Sequence, residues 1–281
     1  MFTTKQKIRI AKILSAGVIG MRRFAGLTPF AVCRRRGVIF SLDLTQGIDL
    51  AIYLGVYERS TYAAWRRLVV PGMRILDIGA NMGAHALVLA LAAGAKGRIA
   101  AIEPTLFGQR RLAENISLNP ELAERIIPIH TFLADMEATA TPKAIYASWP
   151  LRGGSVGHPL LGGQKESVGS ASSSTLDCLM HELRWDRLDL IKIDVDGAEI
   201  AILRGSTETL SRFTPAIVIE IAPHLLEEQG ASTKELIDVL LRRGYSIHCL
   251  ESGERLPTEP TQLEARIPRG ASINALCRIE T

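Results

Sequence analysis

Residues 74–93 read RILDIGANMGAHALVLALAA, and no other stretch constrains the fold as much. RILDI is a short apolar run holding one acid. It ends at Gly79, and the Ala- and Leu-rich segment beyond predicts a helix over 82–93. A strand that turns through glycine into a helix opens a βαβ unit. The order then repeats. Residues 98–102 predict a second strand followed by a helix over 106–118, 126–132 a third strand, 188–195 a fourth followed by a helix over 198–211, and 216–221 a fifth. A helix over 232–243 ends at Gly244, a left-handed cap, with strands over 245–250 and 273–279 behind it. Such alternation predicts a parallel, doubly wound α/β sheet.

Upstream lie a basic amphipathic helix over 5–25, a strand over 37–44 and helical pieces over 48–54 and 61–69. The expected division is an N-terminal extension over 1–54 and a main domain over 55–281. Glycine and serine dominate 151–174, which predicts a flexible loop, either a lid or a disordered insert.

Composition closes several alternatives. With 47% hydrophobic and 22% charged residues in 281, a core can form and disorder is not the main state. No apolar run reaches the roughly 18–20 residues of a membrane-spanning helix. Cys33, Cys178, Cys249 and Cys277 are scattered, against a metal or disulfide framework and in keeping with a reducing, cytoplasmic setting. A cleaved signal peptide is not expected, because the run 13–21 is short, broken by glycines and followed by Arg22-Arg23. Residues 1–42 carry nine Lys or Arg and no acid, whereas the remainder holds 24 basic and 29 acidic residues. The basic end is either a solvated helix face or, through residues 1–36, a peripheral contact with an anionic surface such as the inner face of a membrane.

Four signals outline a site. In ILDIGANMG the spacing is Gly79-x-x-x-Gly83, with Ala80 and Asn81 between, rather than the three-glycine fingerprint of nicotinamide dinucleotides. Gly79, Ala80, Asn81 and Gly83 bring backbone N–H groups and a helix start against a ligand. Asp77 precedes the turn, and a carboxylate there suits a cationic ligand such as S-adenosylmethionine, which carries an ammonium and a sulfonium. Glu103, 20 residues after Gly83, is placed to take ribose hydroxyls, and Asp135, past the third strand, to accept an adenine amino group. In IKIDVDGAE, alternation puts Lys192, Asp194 and Asp196 on one face. Asp196 and Glu199 also read as a capping box, and Lys192 as a counter-ion to Asp194.

DIGANMGAHAL, IEPT, ENISLN, TLDCLM, LIKIDVDGAEIAILRG and PAIVIE together resemble the FkbM-type family of S-adenosylmethionine-dependent methyltransferases, from about Gly55 to the end, and LGVYE at 54–58 matches a family element. The resemblance implies a Rossmann-like, mostly parallel seven-stranded sheet with an antiparallel last strand, and O-methyl transfer. One departure is Asp196, where the family's KIDVEG element has Glu.

An alcohol acceptor must lose a proton, so a base near the methyl group helps. Asp194, then Glu220, are the candidates, and Lys192 joins them as a candidate catalytic residue. His85, His158 and His224 compete for the same role. Tyr57 and Glu58 are expected to pack over the cofactor. Asp194, Asp196 and Glu220 could gather a magnesium ion, although no metal site is assigned. The expected acceptor is a small molecule or glycan: a hydroxyl of a saccharide, a lipid-linked glycan or a secondary metabolite. An RNA acceptor is the rival, gaining from the basic N-terminus. It loses because IDVDG stands where amino-methylating enzymes carry Asn/Asp-Pro-Pro-aromatic, and because no aromatics interleave with the N-terminal arginines, so no nucleic-acid partner is expected. A nicotinamide-dependent oxidoreductase or a non-catalytic binding module are the more distant alternatives.

Overall fold

A computed structural model describes residues 4–136, 140–151 and 163–280. Its main sheet contains β1 (Arg74–Ile78), β2 (Arg98–Ile102), β3 (Ile126–Ile129), β4 (Leu190–Ile193), β5 (Ala216–Ile221), β6 (Tyr245–Cys249) and β7 (Ile273–Ile279). The spatial order is β6-β7-β5-β4-β1-β2-β3. Neighbours are parallel except β7, which runs antiparallel to both β5 and β6. This is the expected Rossmann-like sheet. From β1 the chain moves outward to β2 and β3, then returns to β4 on the other side. The order therefore reverses between β1 and β4, and ligands of such sheets lie outside the carboxyl ends of the strands at that point.

Both faces are covered, which is why the central strands are mostly apolar. One face packs Leu76, Ile78, Ile191, Ile193 and Ile217 against helices such as Leu176–Leu183 and Thr233–Leu241. The other packs Ile75, Leu190 and Val218 with the helices Ala86–Ala93 and Arg59–Leu68. Asp77, Lys192, Asp194 and Glu220 alternate onto this second face at its carboxyl end. Their register is fixed by the pairs Lys192↔Asp77 and Lys192↔Val218.

The second core also takes in Val38, Phe40, Leu42, Leu50 and Ile52 from the N-terminal extension. There the strands Phe30–Arg35 and Val38–Asp43 form an antiparallel hairpin. Its turn residues Arg36 and Gly37 have φ of 51° and 89°, the two left-handed positions of a tight hairpin. Among the described residues the outer edge of the second strand does not meet another strand. Helix Leu106–Ser117 and the residues just after it present amide side chains instead. Ser41 N–H donates to Asn115 Oδ1 at 2.8 Å, Ile39 N–H donates to Asn119 Oδ1 at 2.8 Å, and Asn119 Nδ2 donates to Ile39 O at 2.7 Å. The asparagines of ENISLN thus act as a substitute strand, satisfying edge amides that burial would otherwise leave unpaired.

Several boundaries differ from the sequence reading. The helix expected over 82–93 begins only at Ala86, because residues 81–85 are taken up by the turn after Gly79. The strand expected over 126–132 breaks at His130. Its remainder, Thr131–Leu133, leaves the main sheet to pair with Ser172–Ser174. The expected loop over 151–174 therefore contains order: Gln164–Ser167 pairs with Ala144–Ser148, and Ser172–Ser174 is a strand. His158 lies outside the described residues. The helix expected over 198–211 is two, Glu199–Arg204 and Thr207–Phe213.

Candidate functional site

The turn after β1 is shaped by the end of β4. Gly79 has φ of 80°, and a Cβ placed on it would lie 2.0 Å from the Asp194 carbonyl oxygen, so only glycine fits. The turn's amides, which the sequence reading aimed at a ligand, are hydrogen-bonded within the fold. Gly79 and Ala80 N–H both donate to Ile102 O, at 3.0 and 2.9 Å, Asn81 N–H donates to Glu103 Oε2 at 2.9 Å, and Gly83 N–H donates to Ala80 O at 2.8 Å. The turn crosses the end of β2 and caps its last carbonyl. Glu103 is buried, and its other oxygen accepts from both the backbone N–H and hydroxyl of Thr105. Burial raises its pKa, with those hydrogen bonds opposing the rise. Its carboxylate thus locks the turn to β2. Asp135 is half-buried just past Thr131–Leu133.

A row of charges occupies the switch point. Lys192 Nζ lies 3.3 Å from Asp77 Oδ1 and 3.3 Å from Asp194 Oδ2. The side chains of Lys192 and Asp77 are 4% and 0% exposed, whereas that of Asp194 is 30% exposed. Burial disfavours the ammonium, but Asp194, Asp77 and Glu58 outweigh it and push its pKa above the ordinary lysine range. The Lys192–Asp77 approach is an ion pair without hydrogen-bond alignment. Among the described residues neither Asp77 oxygen has a hydrogen-bond partner. A buried carboxylate with unused acceptor capacity is uncommon and points to a ligand or water.

An aromatic layer covers this row. Glu58, with φ of 35°, opens helix Arg59–Leu68 and lies 3.3 Å from His85 Nε2. Burial opposes its charge, yet His85, the Lys192 ammonium and a hydrogen bond from Thr61 lower its pKa below the ordinary carboxylate range. Trp65 Nε1 donates to His85 Nδ1 at 3.0 Å. An indole nitrogen only donates, so Nδ1 accepts and the neutral ring carries its proton on Nε2, toward Glu58. Tyr62 stacks on His85 with centroids 5.0 Å apart, and Tyr57 lies 5.8 Å from the same ring. Arg36 sits 3.9 Å above the Tyr62 ring, and Tyr62 OH donates to Ala84 O at 2.7 Å. The helix is tied to β7 by Asn274 Nδ2 donating to Thr61 Oγ1 at 3.1 Å. Tyr62 and Trp65 escaped the sequence reading. Their signal was the i, i+3 spacing in STYAAW, which puts both rings on one helix face.

Beyond Asp194 the alternation stops. Asp196 has φ of 52°, and Ala198, not Asp196, is the N-cap of Glu199–Arg204. The capping box is therefore absent. Glu199 is the first helical residue, and its Oε1 accepts from Val195 and Gly197 N–H, each at 3.2 Å. Burial and the neighbouring carboxylates Asp194 and Glu199 raise Asp196 to about 8. Burial, then Asp194 and Asp196, push Glu220 well above the carboxylate range. These acids crowd one edge, but among the described residues no three His, Cys, Asp or Glu converge closely enough to hold a metal ion. His224 is buried in the first turn of Pro223–Glu228.

The site therefore presents an excess of carboxylate around one ammonium, beneath aromatic rings, at the sheet's switch point. That chemistry suits a cationic ligand. The chain is similar to the AMB antimetabolite synthetase AmbE of Pseudomonas aeruginosa, 23% identical over 228 residues, covering 70% of this chain and a tenth (10%) of that protein. Among solved structures it is similar to the methyltransferase FkbM from Methylobacillus flagellatus, with 15% identity, TM-score 0.44, and 81% of this chain and 52% of that one covered. It also resembles Aeropyrum pernix fibrillarin in complex with S-adenosyl-L-methionine, with 16% identity, TM-score 0.45, and 89% and 82% covered. The methyltransferase FkbM domain model matches residues 77–247, more than half of the chain, from Asp77 into β6. The chain belongs to the FkbM methyltransferase domain family.

Proposed function

We propose that the chain is an S-adenosylmethionine-dependent O-methyltransferase acting on a hydroxyl of a saccharide, a lipid-linked glycan or a secondary metabolite. S-adenosylmethionine, when bound, supplies a methyl group already activated on a sulfonium. The observation that carries the reading is the Asp77–Lys192–Asp194 row. Asp77, buried with unused acceptor capacity, and Glu58 offer negative charge to a cationic donor, and Gly79 lets the turn beside them pack directly on the end of β4.

Asp194 is the exposed member of the row, and its carboxylate orients the acceptor hydroxyl or takes its proton. Lys192 is a positioning residue that fixes one Asp194 oxygen. Glu220 and Asp196, with raised pKa values, limit the charge gathered at the edge. Tyr57, Tyr62 and His85 exclude water from the reacting centre.

The test has two stages. Calorimetry with S-adenosylmethionine and S-adenosylhomocysteine should show binding to the wild type and at least roughly tenfold weaker binding to Asp77→Asn, about 1.4 kcal/mol. A folded wild type that binds neither overturns the reading. Transfer of labelled methyl to a panel of saccharides, glycolipids and RNA should then select a hydroxyl of the first two classes. Asp194→Asn should lose turnover by about a hundredfold or more with donor affinity retained. Undiminished turnover would remove Asp194 from its role, and exclusive methylation of RNA would remove the acceptor class.

A further inference from the structure

The N-terminal helix, Thr4–Phe24, packs on the molecule through one side only. Ser15 and Ile19 are buried there, and Ser15 Oγ donates to Leu44 O at 2.9 Å. The opposite side is apolar and faces outward. Ile10, Ile13, Leu14, Met21 and Phe24 recur at helical spacing and are each between 45% and 97% exposed. Gly17 completes this stripe, and a Cβ placed on it would meet no described atom within 4 Å. Between the stripe and the buried side runs a flank of exposed Arg9, Lys12 and Arg23. The apolar surface continues past the helix into Leu27 and Phe30, 50% and 61% exposed. Arg22 ties that turn to the helix by donating to Thr28 O and Phe30 O, both at 2.9 Å.

A contiguous exposed apolar stripe of this length marks an interaction surface. No helix among the described residues is long and apolar enough to cross a membrane. We propose that residues 4–30 lie flat in the headgroup region of an anionic lipid bilayer, with Ile13, Met21 and Phe24 inserted and Arg9, Lys12 and Arg23 against the lipid phosphates. The argument is charge complementarity joined to shape. The helix itself carries six cations and no anion. An apolar stripe with a Lys/Arg flank is the pattern of a helix that rests in a membrane interface. Self-association through the same face would oppose like charges, which disfavours a second copy as the occupant. RNA would leave Ile10, Ile13, Leu14 and Met21 in water, with Phe24 the one ring in the helix that could stack a base. The inference stands on this helix and not on the identity of the methyl acceptor.

The experiment is vesicle flotation of the full chain with phosphatidylcholine alone and with roughly a third phosphatidylglycerol. Binding to the anionic vesicles should be at least about tenfold tighter than to phosphatidylcholine and should weaken with added salt. Ile13→Asp/Met21→Asp should lose about tenfold or more of that binding at unchanged thermal midpoint, both positions being exposed. Arg9→Gln/Lys12→Gln/Arg23→Gln should lose the preference for anionic lipid and most of the salt dependence. The proposal is overturned if the wild type ignores anionic vesicles or if the aspartate pair binds them as well as the wild type does. It is equally overturned if vesicle binding is absent and either size exclusion shows a dimer that the pair dissociates or single-stranded RNA binds instead.

Discussion

Replacing Lys192 with Met isolates the electrostatics of the switch point, because the two side chains fill similar volumes. Lys192 Nζ is 3.3 Å from both Asp77 and Asp194, and Asp77 is fully buried. Without the ammonium, Asp77 is left as a buried carboxylate with neither a counter-ion nor an aligned donor among the described residues. Removing one partner of such a pair costs about 3–5 kcal/mol. In a chain of this size each kcal/mol moves the thermal midpoint by roughly 2–4 °C, so Lys192→Met should melt about 6–20 °C lower. Lys192→Met/Asp77→Leu removes both charges and should regain most of that loss, since a well-packed apolar pair substitutes for a buried ion pair at little cost. The double-mutant cycle, read by circular dichroism and by urea midpoints, gives the coupling directly. A Lys192→Met variant within about 1 kcal/mol of wild type would refute the reasoning, because it would mean that another donor reaches Asp77.

Three further outcomes are expected. Asn119→Ala removes both polar partners of Ile39 and should cost about 2–3 kcal/mol, with faster amide exchange at Ile39 and unchanged exchange in β1. Gly79→Ala drives a Cβ into the Asp194 carbonyl at φ of 80°. It should destabilise by about 2 kcal/mol or more in denaturant titration and weaken donor binding in calorimetry. Glu199 is raised by burial from 4.5 to about 7, so the folded state holds its proton more tightly than the unfolded chain. Stability from this group is full below pH 4.5 and is lost as pH rises through 7, and Glu199→Gln, measured by midpoints across that window, should flatten the decline.

The sheet was legible in the sequence because parallel strands buried on both faces read as short, mostly apolar runs, RILDI and AIVIEI among them. The positions of Lys192 and Asp194 on one face followed from period-2 alternation, and the register with Asp77 bears this out. Asp196 defeated the same rule because its left-handed backbone ends the alternation, a state that sequence signals only weakly outside glycine. The first hairpin strand was missed because FAVCRR carries arginines where a strand is expected to be apolar or β-branched, and its exposed outer face tolerates them. Glu103 shows a different limit. Its position at the end of β2 was readable, but its capture by Asn81 and Thr105 depends on a turn geometry that spacing does not encode. The Glu58–His85–Trp65 arrangement joins two separate stretches of chain, so no local window contains it.

The substitute strand formed by Asn115 and Asn119 has a temporal consequence. Ser41 and Asn115 are 74 residues apart, and Ile39 and Asn119 are 80 apart. Synthesis adds roughly 5–20 residues per second, so the hairpin waits about 4–16 s on the ribosome before its partner exists. During that interval the edge of Val38–Asp43 is open to any other chain or chaperone within reach. The order in which the two segments are made therefore sets a window of vulnerability, and slowing translation after residue 43 should widen it.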